Sequence, residues 1–273
     1  MKPAAFDYVR AGSLADAAKV LADAGGAAKA IAGGQSLGPM LNLRLAQPRL
    51  LVDLTAIAEL TASAEAPDAL TLGACVTTAD IEDRRIPLGG LPMLAEVAGG
   101  IAYRAVRNRG TIGGSVCHAD PAADWPAALA ALGAECIVFD GRGTRRIAVD
   151  QFTAGAFEVA LAPGELLQAI RIPRPSRSAR WGYVKICRKP GEFALAIGAV
   201  LSDPERGIFR AVIGATQGRP IVIPDAGAIF AQAGAVNEAE VHRRLDAAGH
   251  ARGPARRLFL TALARAAAKA GMP

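Results

Sequence analysis

Aromatic residues are scarce in this sequence, at 5% of 273 residues, and histidine occurs only 3 times. Proteins that bind single-stranded nucleic acid stack its bases on aromatic side chains, so the composition argues against a nucleic-acid partner although the formal net charge is +6. The arginines are spread along the chain with acids between them. This pattern is typical of a solvated surface or of a surface for a protein partner, and segments 142–146 and 171–180 are candidates for either.

Cysteine is also rare, and its spacing excludes the common metal sites. Cys75, Cys117, Cys136 and Cys187 are far apart, with no CxxC pair and no clustered histidine. Zinc and iron–sulfur sites need such pairs, so the sequence predicts no metal site in this chain. Cys117 and Cys187 are expected to act as small buried hydrophobic residues, and His118 to be structural or exposed.

Long apolar runs are absent, which excludes a typical membrane-spanning helix. Every apolar run is interrupted by Gly, Pro, Asp or Arg before it reaches the ~18–20 residues that a span requires. The N-terminal segment contains an acid, Asp7, before any apolar stretch, so no secretion signal is predicted and we expect a cytoplasmic protein. The length corresponds to ~1.4–2.7 domains of ordinary size.

The apolar periodicity predicts an α+β protein. Helices are predicted over 7–24 with Ser13 as the N-cap, 91–106, 124–133, 226–233, 238–247 and 255–270. Strands are predicted over 28–32, 50–54, 69–74, 135–139, 145–149, 166–172, 182–186, 194–201 and 209–215. A segment rich in Pro, Ser and Arg, 173–178, is the predicted boundary between two domains.

The first glycine motif, AGGQSLGP at 32–39, follows a predicted strand. Adjacent glycines allow successive backbone N–H groups to converge on phosphate oxygens, although such a pair also occurs in simple tight turns. No GK[ST] sequence follows, and the spacing is not GxGxxG. A P-loop and a Rossmann dinucleotide site are therefore both disfavoured.

The second glycine motif, TIGGSVCHADPAAD at 111–124, repeats the pair and flanks it with hydroxyl residues. It continues into a predicted helix that begins at Asp124 with Pro126 in its first turn. Two such motifs can hold the two phosphates of a dinucleotide, and Asp124 is placed to accept hydrogen bonds from sugar or ribityl hydroxyls.

Two longer segments, AGGQSLGPMLNLRLA at 32–46 and TIGGSVCHADPAADWPAALAALGA at 111–134, resemble the flavin-binding signatures of the medium subunit of the molybdenum hydroxylases. That family includes the carbon monoxide dehydrogenase and xanthine dehydrogenase types. The resemblance implies an FAD-binding domain of the PCMH or vanillyl-alcohol-oxidase type over 1–175, with subdomains at about 1–57 and 58–175. It also implies a smaller C-terminal α+β domain over 178–273, with a three-stranded sheet and helices.

The resemblance also implies which residues contact FAD, the expected cofactor. The implied set comprises Ala32, Gly33, Gly34, Gln35, Ser36 and Leu37 around the diphosphate; Thr111, Gly114, Ser115 and Asp124 at phosphate and sugar; Ile101 and Leu167 flanking the isoalloxazine; and Tyr183 and Lys185 near the ring. Glu192 stands where the family usually has Asp, so no role is assigned to it. No residue of the chain is predicted to be catalytic.

The function implied by the resemblance is electron transfer within a complex. A large subunit with a molybdenum cofactor and a small [2Fe-2S] subunit are the expected partners, in a dimer of heterotrimers. FAD passes electrons from the clusters to NAD⁺, O₂ or a quinone. Two alternatives stay open: a stand-alone flavin-dependent reductase or oxidase, and a non-catalytic scaffold with a vestigial flavin site. The sequence does not name the substrate of the complex.

Overall fold

A computed structural model describes residues 2–230 and 236–272. These residues form three larger sheets and one small two-stranded sheet, with helices between the strands. The α+β class predicted from the sequence is confirmed.

The first lobe contains a parallel sheet of three short strands in the order β1-β3-β2. Its elements are β1 (Asp7–Arg10), α1 (Leu14–Asp23), β2 (Ala28–Ile31), α2 (Leu37–Asn42) and β3 (Leu50–Asp53). The central strand buries Val52 in the main core, where α1 packs Ala17, and buries Leu51 in a small separate cluster with Leu41. Ser13 is the N-cap of α1, as predicted, and accepts a hydrogen bond from the Asp16 backbone.

The second lobe is built on an antiparallel sheet in the order β4-β5-β10-β6-β7. Its strands are β4 (Ser63–Glu65), β5 (Ala69–Gly73), β6 (Glu135–Phe139), β7 (Thr144–Ala148) and β10 (Leu166–Pro173), and a small hairpin pairs β8 (Thr153–Gly155) with β9 (Glu158–Val159). Its helices are α3 (Ala58–Thr61), α4 (Thr78–Glu82), α5 (Pro92–Gly99), α6 (Arg104–Arg107), α7 (Ile112–His118), α8 (Asp124–Ala131) and α9 (Val149–Phe152).

The C-terminal part has an antiparallel sheet of four strands, whereas the resemblance implied three. The strands are β11 (Arg180–Ile186), β12 (Ala196–Asp203), β13 (Ile208–Gly214) and β14 (Ile221–Ile223), followed by α10 (Glu238–Ala247) and α11 (Arg256–Lys269). Strand β14 has only three residues between Pro220 and Pro224, which left no periodic signal in the sequence. Helix α11 approaches the sheet closely because Gly182 and Gly198 face its backbone.

Helix α8 joins the two parts of the molecule. All eight of its residues are buried; seven are apolar, as expected for a buried helix, and the eighth is Asp124 at its start. It packs on β12 and β13, where Gly214 leaves space for Ala127. The limits of the predicted domains stay a prediction, but β10 and β11, on either side of segment 173–178, belong to different sheets.

Three predicted helices differ from the structure. Residues 7–10 form the edge strand β1 instead of the start of a helix, because no apolar alternation marks this mostly exposed strand. The helix predicted over 91–106 is two helices, since the chain turns after Gly100 and Ala102 adopts a positive φ. Of the helix predicted over 226–233, residues 226–228 form one 3₁₀ turn, and residues 231–233 lie outside the described residues.

In the part of the chain that the structure describes, no helix is both long and apolar enough to span a membrane.

Candidate functional site

The first glycine motif forms the loop between β2 and α2, and two of its glycines are required by the backbone. A Cβ atom on Gly33 would lie 1.9 Å from the carbonyl oxygen of Arg109, so only glycine fits this contact. Gly34 has φ +70°, which an L side chain rarely adopts. The Gln35 side chain donates to the Gly33 carbonyl at 3.0 Å and so closes the loop on itself.

This loop presents a run of backbone donors. Within residues 2–230 and 236–272, no group accepts a hydrogen bond from the backbone N–H of residues 33–37. The Ser36 hydroxyl makes no capping hydrogen bond to α2 either. Consecutive unpaired N–H groups in such a turn form a concave site for anions, so the loop fits a phosphate group.

The second motif forms the start of α7, and its backbone is arranged differently. The N–H groups of residues 112–115 donate to the carbonyls of Val76, Ala74 and Thr111 and to the Thr111 hydroxyl. Gly113 is required because a Cβ there would lie 2.4 Å from the Cβ of Ala74. This motif therefore lacks the unobstructed backbone donors of the first; it presents the exposed Gly114 and the partly exposed Ser115.

The two motifs lie against each other although they are far apart in sequence. Gly33 contacts the backbone of Arg109 and Gly110, which directly precede Thr111. The Gln35 side chain also lies close to Gly110, since a Cβ on Gly110 would lie 3.8 Å from the Cγ of Gln35. The structure thus brings together the two segments that the sequence predicts to hold one diphosphate.

A third group of predicted residues meets between the second lobe and the C-terminal sheet. The buried Asp124 carboxylate accepts hydrogen bonds from the Tyr183 hydroxyl at 2.7 Å and the Lys185 ammonium at 3.0 Å. Lys185 also donates to the Gly100 carbonyl at 2.8 Å. Burial raises the pKa of Asp124, with Lys185 and Tyr183 acting in the opposite direction. Burial also raises the pKa of Tyr183 well above its usual value, so the hydroxyl stays protonated.

This group borders a cavity of about 550 Å³ between the two parts of the molecule. Gly100, Ala102, Lys185, Cys187 and Gly191 are among its lining residues. Ile101 pairs with Gly191, which lines the cavity, but Ile101 is not itself among the lining residues. The cavity volume is in the range of small-molecule sites, and its lining combines charged side chains with glycines.

The other predicted residues have less direct positions. Leu167 is buried in the core on β10 and does not line the cavity, although the next residue, Gln168, accepts from the Ala74 backbone beneath α7. Ala32 packs against the main core, and Leu37 against a small cluster around Leu41.

The second motif also contains Cys117 and His118, for which the sequence predicts packing or structural roles. The His118 ring contacts the Phe157 ring at 5.2 Å between centroids. Burial raises the pKa of Cys117 to about 12, so its thiol is protonated, which agrees with a packing role. Sequence reasoning missed Arg107, which donates to the carbonyls of Ile101 and Ala102, because the turn-like sequence RNRG gave no sign of this contact.

Comparison with known proteins identifies the family. Residues 4–175 match the family described as "FAD binding domain in molybdopterin dehydrogenase". The chain belongs to this family. The resemblance stated from the two glycine motifs is therefore confirmed, and this FAD-binding subunit is an oxidoreductase component of the molybdenum hydroxylase type.

Relatives with curated names are subunits of dehydrogenases. Caffeine dehydrogenase subunit beta of Pseudomonas sp. is 38% identical over 75% of this chain and 70% of its own length. The carbon monoxide dehydrogenase medium chain of Afipia carboxidovorans is 37% identical over 84% of this chain and 81% of its own length. In solved structures, a chain of carbon monoxide dehydrogenase from Hydrogenophaga pseudoflava superposes with TM-score 0.86, at 31% identity and 99% coverage of both chains. A chain of quinoline 2-oxidoreductase from Pseudomonas putida gives 0.82 at 30% identity, covering 99% of this chain and 98% of the other.

Proposed function

We propose that this FAD-binding subunit is the last link of an electron relay. Electrons leave a substrate at a molybdenum cofactor in a large subunit, cross two [2Fe-2S] clusters in a small subunit and reach a terminal acceptor through the FAD of this chain. The observation that carries the proposal is the run of unpartnered N–H groups at 33–37 beside the second motif, because it supplies a diphosphate site. The names of the relatives, medium chain and subunit beta, support a place in a multisubunit enzyme.

We propose that each group of residues holds a different part of FAD. The backbone of 33–37 and the Ser36 hydroxyl bind the diphosphate, with Ala32 and Leu37 anchoring the loop ends. Thr111, Gly114 and Ser115 approach phosphate and sugar. The ring occupies the cavity beside Ile101, with Asp124, Tyr183 and Lys185 at its wall and Leu167 behind. Bound flavin supplies the chemistry of the relay, since it accepts and releases one or two electrons.

The charges at the cavity wall suit a reduced flavin. The Lys185 side chain is 9% exposed and lies 3.0 Å from the Asp124 carboxylate, so its charge is held in place. A fixed cation near the ring stabilises the negative charge that a flavin gains on reduction. The Tyr183 hydroxyl donates a hydrogen bond to one carboxylate oxygen of Asp124, which keeps the other oxygen directed at the Lys185 ammonium.

The proposal also concerns the partners and the cell compartment. We propose a dimer of heterotrimers in the cytoplasm, with the interface to the small subunit covering ~1,000 Å² or more. Part of this interface borders the cavity, because electron transfer requires the flavin edge to lie close to a cluster.

The proposal is tested on the assembled complex, purified with its co-eluting subunits. Clusters reduced with substoichiometric dithionite are mixed with NAD⁺ or a quinone under anaerobic conditions, or with oxygenated buffer in a separate arm, and their reoxidation is followed by absorbance. In a complex carrying Gly34→Val, the clusters should still be reduced but should not pass electrons on. Gly38→Ala is the matched control, since a Cβ at Gly38 meets nothing within 4 Å.

Three results would contradict the proposal. Reoxidation at the normal rate in a flavin-free Gly34→Val complex would show that electrons bypass this chain. Oxidation of an organic substrate by the isolated chain would favour the stand-alone flavoenzyme. A wild-type chain that takes up no FAD would favour the vestigial scaffold.

A further inference from the structure

One short segment at the cavity is held in a strained conformation. Residues Gly100–Ala102, here called the strap, lie between α5 and α6 and border the cavity. Ala102 has φ +45°, in the left-handed region that residues with a Cβ rarely adopt. Such a conformation persists only where the surrounding structure fixes it.

All three carbonyl groups of the strap accept hydrogen bonds from cationic side chains. The Gly100 carbonyl accepts from the Lys185 ammonium at 2.8 Å. The carbonyls of Ile101 and Ala102 accept from one guanidinium nitrogen, Nη1 of Arg107, at 2.9 and 3.0 Å. Hydrogen bonds from charged donors are stronger than those between neutral groups, so these contacts fix the peptide planes of the strap.

Arg107 is itself held rigidly. Its Nε and Nη2 atoms donate to the two carboxylate oxygens of Glu82 at 2.7 and 2.9 Å, and its side chain is 12% exposed. The hydrogen bond from Arg107 is the main cause that lowers the pKa of Glu82, so this carboxylate stays charged. On the opposite side, Gly191 packs so closely that a Cβ there would lie 2.7 Å from the Ala102 carbonyl oxygen.

We propose that Arg107 is a positioning residue for the flavin: by holding the carbonyls of Ile101 and Ala102, it fixes the strap that forms one wall of the ring site. The inference rests on the proposed function, which places the isoalloxazine in this cavity. A fixed strap keeps Ile101 beside the ring and keeps the Gly100 carbonyl in reach of Lys185. Loss of Arg107 should therefore change both the affinity for FAD and the environment of the ring.

Arg104 provides a matched control. It donates to the same Glu82 at 3.0 Å and also to Asp83, and it borders the same cavity. It makes no hydrogen bond to a strap carbonyl within the described residues. Removal of Arg104 therefore tests the effect of a lost cavity-side charge without a lost strap contact.

The first measurement is of bound flavin in the full chain. For Arg107→Gln we expect the FAD dissociation constant to rise ~10-fold or more, because two charge-assisted contacts to the strap are lost. If the loss of affinity differs ~10-fold between oxidised and reduced FAD, the two-electron reduction potential of the bound flavin shifts by ~30 mV. Arg107→Lys retains the positive charge and one donor nitrogen, so its FAD affinity and reduction potential should lie between those of Arg107→Gln and the wild type. Arg104→Gln should leave both near wild type.

The second measurement uses the same variants without flavin. Hydrogen exchange of the peptide spanning 99–106 should be faster in Arg107→Gln than in wild type or Arg104→Gln. Unchanged exchange, or unchanged FAD affinity and potential in folded Arg107→Gln, would overturn the inference. Failure of the proposed function is recognised separately in the wild type: no uptake of FAD, substrate oxidation by the isolated chain, or cluster reoxidation that bypasses the flavin in the complex would contradict the relay whether or not the strap exchanges faster.

Discussion

The Cα atom of Gly33 faces the carbonyl of Arg109 so closely that a Cβ at residue 33 would lie 1.9 Å from the oxygen and 2.6 Å from the carbon. The obstacle is backbone, so it cannot rotate away as a flexible side chain would. This contact joins the loop after β2 to the segment that precedes α7, and it fixes the relative positions of the two glycine motifs.

We therefore expect Gly33→Ala to separate the motifs and to abolish the visible absorption band of bound flavin. Gly34→Val should do the same through strain at φ +70°, and Gly114→Val through a Cβ only 2.7 Å from the Thr111 hydroxyl. Flavin content of the purified chains is measured by absorbance. Gly38→Ala serves as the control. Wild-type flavin content in all three motif variants would refute the assignment of the diphosphate site.

The two serine hydroxyls of the motifs allow a test that does not disturb the fold. Neither Ser36 nor Ser115 forms a side-chain hydrogen bond with another described residue, so alanine at either position removes no internal hydrogen bond. We expect each variant to retain its thermal midpoint and to raise the FAD dissociation constant by ~2- to 10-fold, the effect of one hydrogen bond. Fluorescence titration measures the affinity, with Ser202→Ala in the C-terminal sheet as the control. Unchanged affinity in both would place the ligand elsewhere.

Local signals made the glycine loops and helix caps predictable. Ser13 and Thr77 lie directly before the helices they cap, and Asp80 completes a capping box from the first turn of α4, so a few residues of sequence specify these helix starts. The strands β1 and β14 were missed because a four-residue exposed strand and a three-residue strand between prolines carry no periodicity. Such strands form only because a neighbouring strand offers its hydrogen-bonding edge.

The positions of the site residues were predictable only in part. The contact between Asp124 and Lys185 joins residues 61 positions apart, and it depends on how the C-terminal sheet docks on α8. Resemblance to the family implied that Asp124 lies at phosphate and sugar and that Lys185 lies near the ring, but spacing alone gave no sign that they pair with each other. The role of Arg107 had no signal at all, because its acceptors are backbone carbonyls, which every residue type possesses.

The pair Asp124–Lys185 predicts an effect larger than the loss of one ligand contact. Asp124→Ala leaves a buried ammonium without its carboxylate, which should destabilise the fold by about 3–5 kcal/mol. Loss of one charge-assisted contact at the ring site should also raise the FAD dissociation constant by ~10- to 150-fold. Chemical unfolding and flavin titration measure the two effects.

A double variant separates charge burial from ligand binding. Asp124→Asn combined with Lys185→Met removes both charges, so much of the lost stability should return while FAD affinity stays low. If Asp124→Ala has wild-type stability and affinity, then Asp124 acts only at the start of helix α8.

His250 predicts a pH dependence of stability that is separate from the flavin site. Burial, with a smaller contribution from the Arg256 guanidinium, lowers the pKa of His250 below 6.5. Its Nε2 atom accepts a hydrogen bond from the Gln217 backbone at 3.4 Å, and its ring packs edge-on against Phe259. Protonation removes this acceptor and places a second positive charge near Arg256.

The direction of the effect follows from proton linkage. Between pH 6.5 and the lower pKa of the folded state, the unfolded chain binds more protons at residue 250 than the folded chain, so stability rises with pH across this window. The thermal midpoint of the wild type should therefore fall relative to that of His250→Gln as the pH is lowered from 7.5 to below 6, because glutamine keeps an acceptor but does not titrate. His118 and His242 are unchanged in both proteins and cancel in the difference. A constant difference across this range would show that His250 is protonated equally in the folded and unfolded states.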